Sequence, residues 1–263
     1  MENKKSARNP FYWIGKVFKY EMKHSIRILV PVLIAILALA LASGLFMPMS
    51  SDGHLDFNFS VRINGIENVM NGLAGFFFMI YWVMVVASAV VTISVIVKRF
   101  KNGLLGDEAY LNLSLPVTIG EHLWGRICTI IVWDLIYTAV MMLSWILIYI
   151  KNLSVINFGN DWQIWFFGIL LVDMAWSLCL ILFIYLVNAL GHLAKKHRTL
   201  VKLVSIICIM IVTSRFMEWM LYYLLGGERA SAVLYWTALA GIVFSAIYGT
   251  ATYFILKLKL NLE

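Results

Sequence analysis

The stretch Lys98 to Pro116, KRFKNGLLGDEAYLNLSLP, decides how the rest of the chain is read. It is the largest charged break between long apolar segments, and it is too short to be a domain. Lys98, Arg99 and Lys101 follow a long, mostly apolar run, which reads as the cytoplasmic end of a membrane span. Gly103 and Gly106 loosen the backbone, Asp107 and Glu108 put acid where the first turn of a short helix favours it, and Pro116 stops that helix from continuing. The expectation is a compact helix between two spans. It presents Tyr110, Leu111, Leu113 and Leu115, with two carboxylates at one end. Such a knob suits a membrane protein gripped by a cytoplasmic motor.

The totals agree with a membrane setting. The 263 residues are 62% hydrophobic and only 13% charged, with a formal net charge of +7. Soluble domains carry about 25% charged residues, so a polytopic membrane protein is expected. Cys128, Cys179 and Cys208 all fall in apolar segments without paired spacing and read as packing residues. Ala38 to Gly44, ALALASG, resembles a signal-peptide cleavage site, but the patterned residues ahead of the apolar run favour an uncleaved first span.

In chain order, Met1 to Arg8 is a polar, basic tail. From Phe11 to Lys23 the apolar Phe11, Ile14, Phe18 and Met22 share one helical meridian, while Lys16, Lys19 and Lys23 share another. That pattern fits an amphipathic helix lying on lipid at the inner interface, with a plain extension of the first span as the alternative. Six spans are expected at about Ile28 to Met47, Gly72 to Val97, Leu123 to Ile150, Ile164 to Leu190, Leu200 to Leu225 and Val233 to Leu256. Every amide in hydrocarbon needs an internal partner, so these runs must be helices. The fold class is therefore all-α: a six-helix transmembrane bundle forming one domain, with a cytoplasmic tail and elbow at 1–27 and a coupling segment at 98–120. With both termini on one side, that side holds 17 of the 21 Lys and Arg residues, against Arg62, Lys151, Arg215 and Arg229 elsewhere. The positive-inside rule then puts both termini in the cytoplasm. The same spread of charge over short juxtamembrane pieces, with no single basic face, argues against nucleic acid as a partner. Gly72 and Gly75, Ala87 and Ala89, and the small residues between Ala230 and Gly241 offer close-packing surfaces without naming the helix they pack on.

Four ionisable residues fall inside the expected spans: Asp134, Asp173, Arg215 and Glu218. A charge at mid-membrane costs roughly 3 kcal/mol or more, so such residues seek partners. The expected arrangement pairs Arg215 with one or both aspartates, with Glu218 one turn nearer the outer face. Holding the bundle together, guiding a polar substrate group and relaying protons are three roles such a network can play. No G-x-x-x-x-G-K-[ST] loop occurs, so ATP is not bound by that route, and no H-E-x-x-H occurs. His192 and His197 are five residues apart and do not share a helical face. Catalytic, cofactor-binding and metal residues are not expected on this chain.

Arg99-Phe100 followed by Gly103-Leu-Leu-Gly-Asp-Glu-Ala-Tyr-Leu-Asn-Leu-Ser-Leu-Pro-Val117 resembles bacterial ABC transporter permeases of the ABC-2 exporter type, especially small six-span subunits of Gram-positive bacteria. The closing Lys259-Leu-Asn-Leu-Glu263 resembles endings in that family, and the N-terminal amphipathic segment resembles its elbow helix. The resemblance implies that Gly106, Asp107, Glu108, Tyr110, Leu111, Leu113 and Pro116 form a coupling helix docking on a separate cytoplasmic ABC ATPase. ATP and Mg would be bound by that ATPase, and hydrolysis would be its chemistry. Ala109 departs from the pattern, where glycine is more usual, giving a less bendable turn. It further implies a second permease subunit, a copy or a different chain, in a bacterial cell membrane. The expected activity is efflux of a hydrophobic or amphipathic substrate such as a peptide. The alternative is a stand-alone ion-coupled secondary transporter using Asp134 or Asp173.

Overall fold

A computed structural model describes residues 10–46, 66–105, 118–149, 162–194, 197–224 and 230–260. Among them the chain is helical almost throughout and contains no strand. The helices are α1 (Pro10–Phe46), α2 (Ile66–Phe100), α3 (Ile119–Ile148), α4 (Trp162–Leu193), α5 (Arg198–Leu224) and α6 (Ala230–Leu260). A single π-helical turn, Lys101–Leu105, continues α2. All six α-helices contain stretches long and apolar enough to cross a membrane, so the all-α, six-span expectation holds.

The helix starts and stops follow local chemistry. Pro10 stands at the first position of α1, where its missing N–H costs nothing. α1 then runs unbroken for 37 residues, through Pro31. Residues 11–23 are therefore the first turns of the same helix that forms the first span. The segment expected as a separate interfacial helix is found as the extension of that span, because nothing between Lys23 and Ile28 breaks a helix. Of the four apolar residues expected on one meridian, Ile14, Phe18 and Met22 are half-buried, whereas Phe11 is exposed, as is Tyr20. Lys16 lies over the rings of Tyr12 and Trp13, at 5.6 and 5.2 Å. The start of α3 is fixed by a reciprocal cap: Thr118 N–H donates to Glu121 Oε2 at 2.7 Å, and Glu121 N–H donates to Thr118 Oγ1 at 3.3 Å.

Two compact units result, and α1, α2 and α3 each contribute to both. The first comprises Met1–Met22, Val95–Val132 and Trp162–Glu263; the second comprises Lys23–Ser94 and Trp133–Asp161. In the first unit α4 is the central helix, and α6 lies along it at close range. A Cβ on Gly241 would stand 3.0 Å from the Ala175 Cβ and 3.2 Å from its backbone carbon. Ala238 and Ala240 are buried beside it, so the small residues toward Gly241 pack α6 on α4. A core of Ile96, Phe100, Leu104, Ile130, Leu182, Tyr185, Tyr248 and Leu256 fills the unit.

The second unit is held differently. Leu29, Leu33, Ile36 and Ala40 form the buried stripe of α1, at helical spacing. Gly44 lies directly against the backbone carbonyls of Leu147 and Ile148, so α1 and α3 touch main chain to main chain there. Between α2 and α3, Tyr81 and Ser144 share a hydrogen bond of 2.6 Å, and Ser88 and Tyr137 one of 2.9 Å. The Tyr137 hydroxyl also donates to the Val85 carbonyl at 3.1 Å. Neutral hydroxyls thus join these two spans.

Candidate functional site

The clearest polar assembly lies where the 98–120 segment joins the helices. α2 ends at Phe100, after Lys98 and Arg99 in its last turn. α3 begins just after Thr118 and carries Arg126 on its second turn. Glu21, on the N-terminal third of α1, reaches both sides: one carboxylate oxygen is 3.3 Å from Arg99 Nε and the other 3.3 Å from Arg126 Nε. The cluster is driest at Arg126 and Glu21, while the Arg99 side chain is 32% exposed. The Arg126 side chain is 6% exposed and that of Glu21 is 14%.

One carboxylate between two guanidiniums leaves a net positive charge in a poorly solvated place. Both Nε–H groups lack a hydrogen-bond acceptor among the described residues, so the attraction is Coulombic and without fixed donor geometry. Arg126 gains further stabilisation elsewhere. It donates from Nη1 to the Phe100 carbonyl at 3.4 Å, and its guanidinium lies 5.8 Å from the Phe100 ring centroid. Phe100 in turn stacks on Tyr185 of α4, with centroids 3.9 Å apart and planes 10° from parallel. Both rings are buried.

The π-helical turn sets the exit from this cluster. Widening the helix by one residue re-aims the chain after Phe100, and such turns occur frequently at functional sites. Gly103 and Leu104 are buried within it. His192, at the end of α4, donates from Nε2 to the Leu105 carbonyl at 2.6 Å and anchors the last residue of the turn. On the other side, Gly125 of α3 leaves the space filled by Val17: a Cβ there would stand 2.8 Å from the Val17 side chain and 3.1 Å from the Ile14 carbonyl. The two roots of the segment are thereby tied to α1 and α4. Gly106, Asp107, Glu108, Tyr110, Leu111, Leu113 and Pro116, the residues expected to dock, lie outside the described residues.

The four intramembrane charges are distributed over both units. Asp134 is half-buried on α3 and belongs to the second unit; Asp173, exposed on α4, belongs to the first with Arg215 and Glu218. The expected pairing of Arg215 with an aspartate is replaced by a pair within α5: Arg215 Nη1 donates to Glu218 Oε2 at 3.0 Å. Three residues of helix put these groups on one face without any tertiary constraint. The side chains are 78% and 65% exposed, so this is not a buried network. Among the cysteines Cys179 is buried as expected and Cys128 half-buried, whereas Cys208 is exposed on α5.

Glu21, Arg126 and Tyr185 carry the site and were not singled out by sequence, while Phe100 was marked only as part of a motif and His192 only as one of two histidines on different helical faces. The T-x-x-E spacing of Thr118 and Glu121 is a readable cap signal. Nothing in the spacing of Glu21, Arg99 and Arg126 links residues so far apart.

By helix length and composition the chain is a multi-pass membrane protein. No family model, curated protein or solved structure matches it.

Proposed function

We propose that this chain is the membrane subunit of an ATP-driven exporter, moved by a separate cytoplasmic ATPase that grips the 106–117 segment. The observation that supports the reading most is the single carboxylate of Glu21 placed between Arg99 and Arg126, one on each root of that segment. A force on the segment has two short paths into the protein. Through Phe100 and Leu105 it reaches Tyr185 and His192 of α4, and through Arg126 it reaches α1. Rigid attachment at both roots turns a local displacement into movement of whole helices, which is what coupling requires.

In this reading both termini are cytoplasmic, and Asp107, Glu108 and Tyr110 contact the ATPase, with Leu111 and Leu113 adding apolar area. ATP and Mg belong to that partner. The membrane part pairs with a second membrane subunit, and the substrate is hydrophobic or amphipathic, such as a peptide. The paired aspartate-arginine network that an ion-coupled carrier would use gains no support from an Arg215 occupied by Glu218 on its own turn.

Co-purification with candidate cytoplasmic ATPases tests the proposal, comparing the native chain with the Asp107→Ala/Glu108→Ala double variant. Stable association that the double variant loses is the expected result. Transport driven by an ion gradient, with no ATPase bound to the native chain, would overturn it.

A further inference from the structure

α5 is the least covered helix of the described chain: none of the side chains in its most apolar stretch is buried. Its contact with the rest of the first unit is one stripe. Val201, Lys202, Ser205, Ile209, Thr213 and Met217 are half-buried, at the three- and four-residue intervals of a single helix face. Lys202 donates to Asn188 of α4 at 3.1 Å at one end of that stripe.

The opposite side carries a second regular pattern. Val204, Cys208, Ile211, Arg215 and Glu218 recur at intervals of four and three, and all are exposed. At 100° per residue they lie about 150° around the helix from the packed stripe. Alternating intervals of four and three form the seam of two helices crossing at about 20°. Apolar exposure alone would only indicate lipid; the charges do not suit lipid.

Their depth sharpens the point. α5 has 27 residues. At 1.5 Å per residue it is about 40 Å long, against a hydrocarbon core of about 30 Å. Centred in that core, the Cα of Arg215 lies about 9 Å and that of Glu218 about 4.5 Å inside its edge. Ionisable residues at such positions almost always face protein or water, yet these two point away from their own chain.

We infer that the Val204–Cys208–Ile211–Arg215–Glu218 stripe is the contact surface for a second copy of this chain, related by a twofold axis along the membrane normal. The stripe is complementary to itself. Two parallel copies of α5 hold like residues at the same depth, so Arg215 of one lies about 4.5 Å along the axis from the level of Glu218 of the other. That offset is within the reach of an arginine side chain, and two Arg215–Glu218 pairs close into a ring of four alternating charges. Val204 and Ile211 then fill the seam, and Cys208 meets its equivalent near the axis. The inference deepens the reading above by giving the second membrane subunit an identity and a surface. Its physical basis is only that α5 crosses a membrane.

The test uses the full chain, expressed alone and reconstituted in liposomes at high dilution, with copies counted by single-molecule photobleaching. The native chain is expected to be dimeric. Arg215→Glu and Glu218→Arg, each alone, set like charges against each other and should lower the dimer fraction about tenfold or more, while the combined exchange restores it. Independently, a short thiol-reactive crosslinker should join two native chains, and the product should vanish in Cys208→Ser but persist in Cys128→Ser. A monomeric native chain overturns the inference. So does a dimer that ignores both reversals, or a native dimer without a Cys208 crosslink. If a reversal variant fails to fold, the native count and the crosslink decide. ATPase co-purification is scored on the same preparation. A monomer that holds the ATPase removes this inference and leaves the proposed function, and a dimer that holds none does the reverse.

Discussion

Glu21, Arg99 and Arg126 come from three helices and sit largely out of water, whereas Arg215 and Glu218 come from one turn of α5 and stand open. Both groups lie in the first unit, and both bring an arginine within about 3 Å of a carboxylate, yet the physics differs. In the first, Arg126 and Glu21 are enclosed by protein, Arg99 is partly so, and all three depend on neighbours brought together by folding. Removing one partner leaves another stranded where it cannot be solvated. In the second, the partners are already joined by helix geometry, and folding of this chain adds no cover. The contrast separates charges that hold the fold from charges that face outward for something else.

The largest expected effect follows from the first group. Glu21→Gln leaves the buried Arg126 guanidinium, and the half-buried one of Arg99, without their counter-charge and should cost about 3 kcal/mol, read as a lowered Tm in detergent. An unchanged Tm would mean that the cluster is not a structural tie and would erase the contrast. Next comes Gly44→Ala in the second unit, where the new methyl must displace the α3 backbone. Overpacking of this kind costs about 1–3 kcal/mol. Comparing it with Gly191→Ala separates backbone from side-chain obstruction, because the three atoms nearest a methyl at Gly191 all belong to the Lys202 side chain. Gly191→Ala should change Tm far less.

Smaller still is Ser144→Ala, which removes the partner of Tyr81. Interhelical hydrogen bonds in membranes average about 0.6 kcal/mol, so the change should approach the resolution of a careful unfolding experiment. The smallest effect on the single chain belongs to Arg215→Gln. An exposed i,i+3 pair contributes no more than about 0.5 kcal/mol, so monomer stability should hold while assembly changes. A large loss of monomer stability would place Arg215 with the buried charges and collapse the distinction.

Much of the architecture was legible because a bilayer leaves little choice. Long apolar runs must be helices there, and six were readable from hydropathy, with ends within several residues of those observed except at the start of α1 and α2. The N-terminal amphipathic stripe was also readable at Ile14, Phe18 and Met22, though not at Phe11, which is exposed. Its continuity with the first span was not, because amphipathic pattern and helix continuity are separate properties, and Lys19 to Arg27 suits either arrangement. The charges show the same division. Sequence marked Arg215 as expensive at its depth but assigned its partner by depth, when a carboxylate three residues away was the nearer solution.

Composition, span number and the placement of one charged break between the second and third spans were determined by sequence alone, since each depends on transfer of local segments between water and hydrocarbon. The bridge from Glu21 to Arg99 and Arg126, the stack of Phe100 on Tyr185 and the outward stripe of α5 were decided by tertiary structure. Each depends on which helix faces come together. Periodicity defines a face, but only packing selects what that face meets.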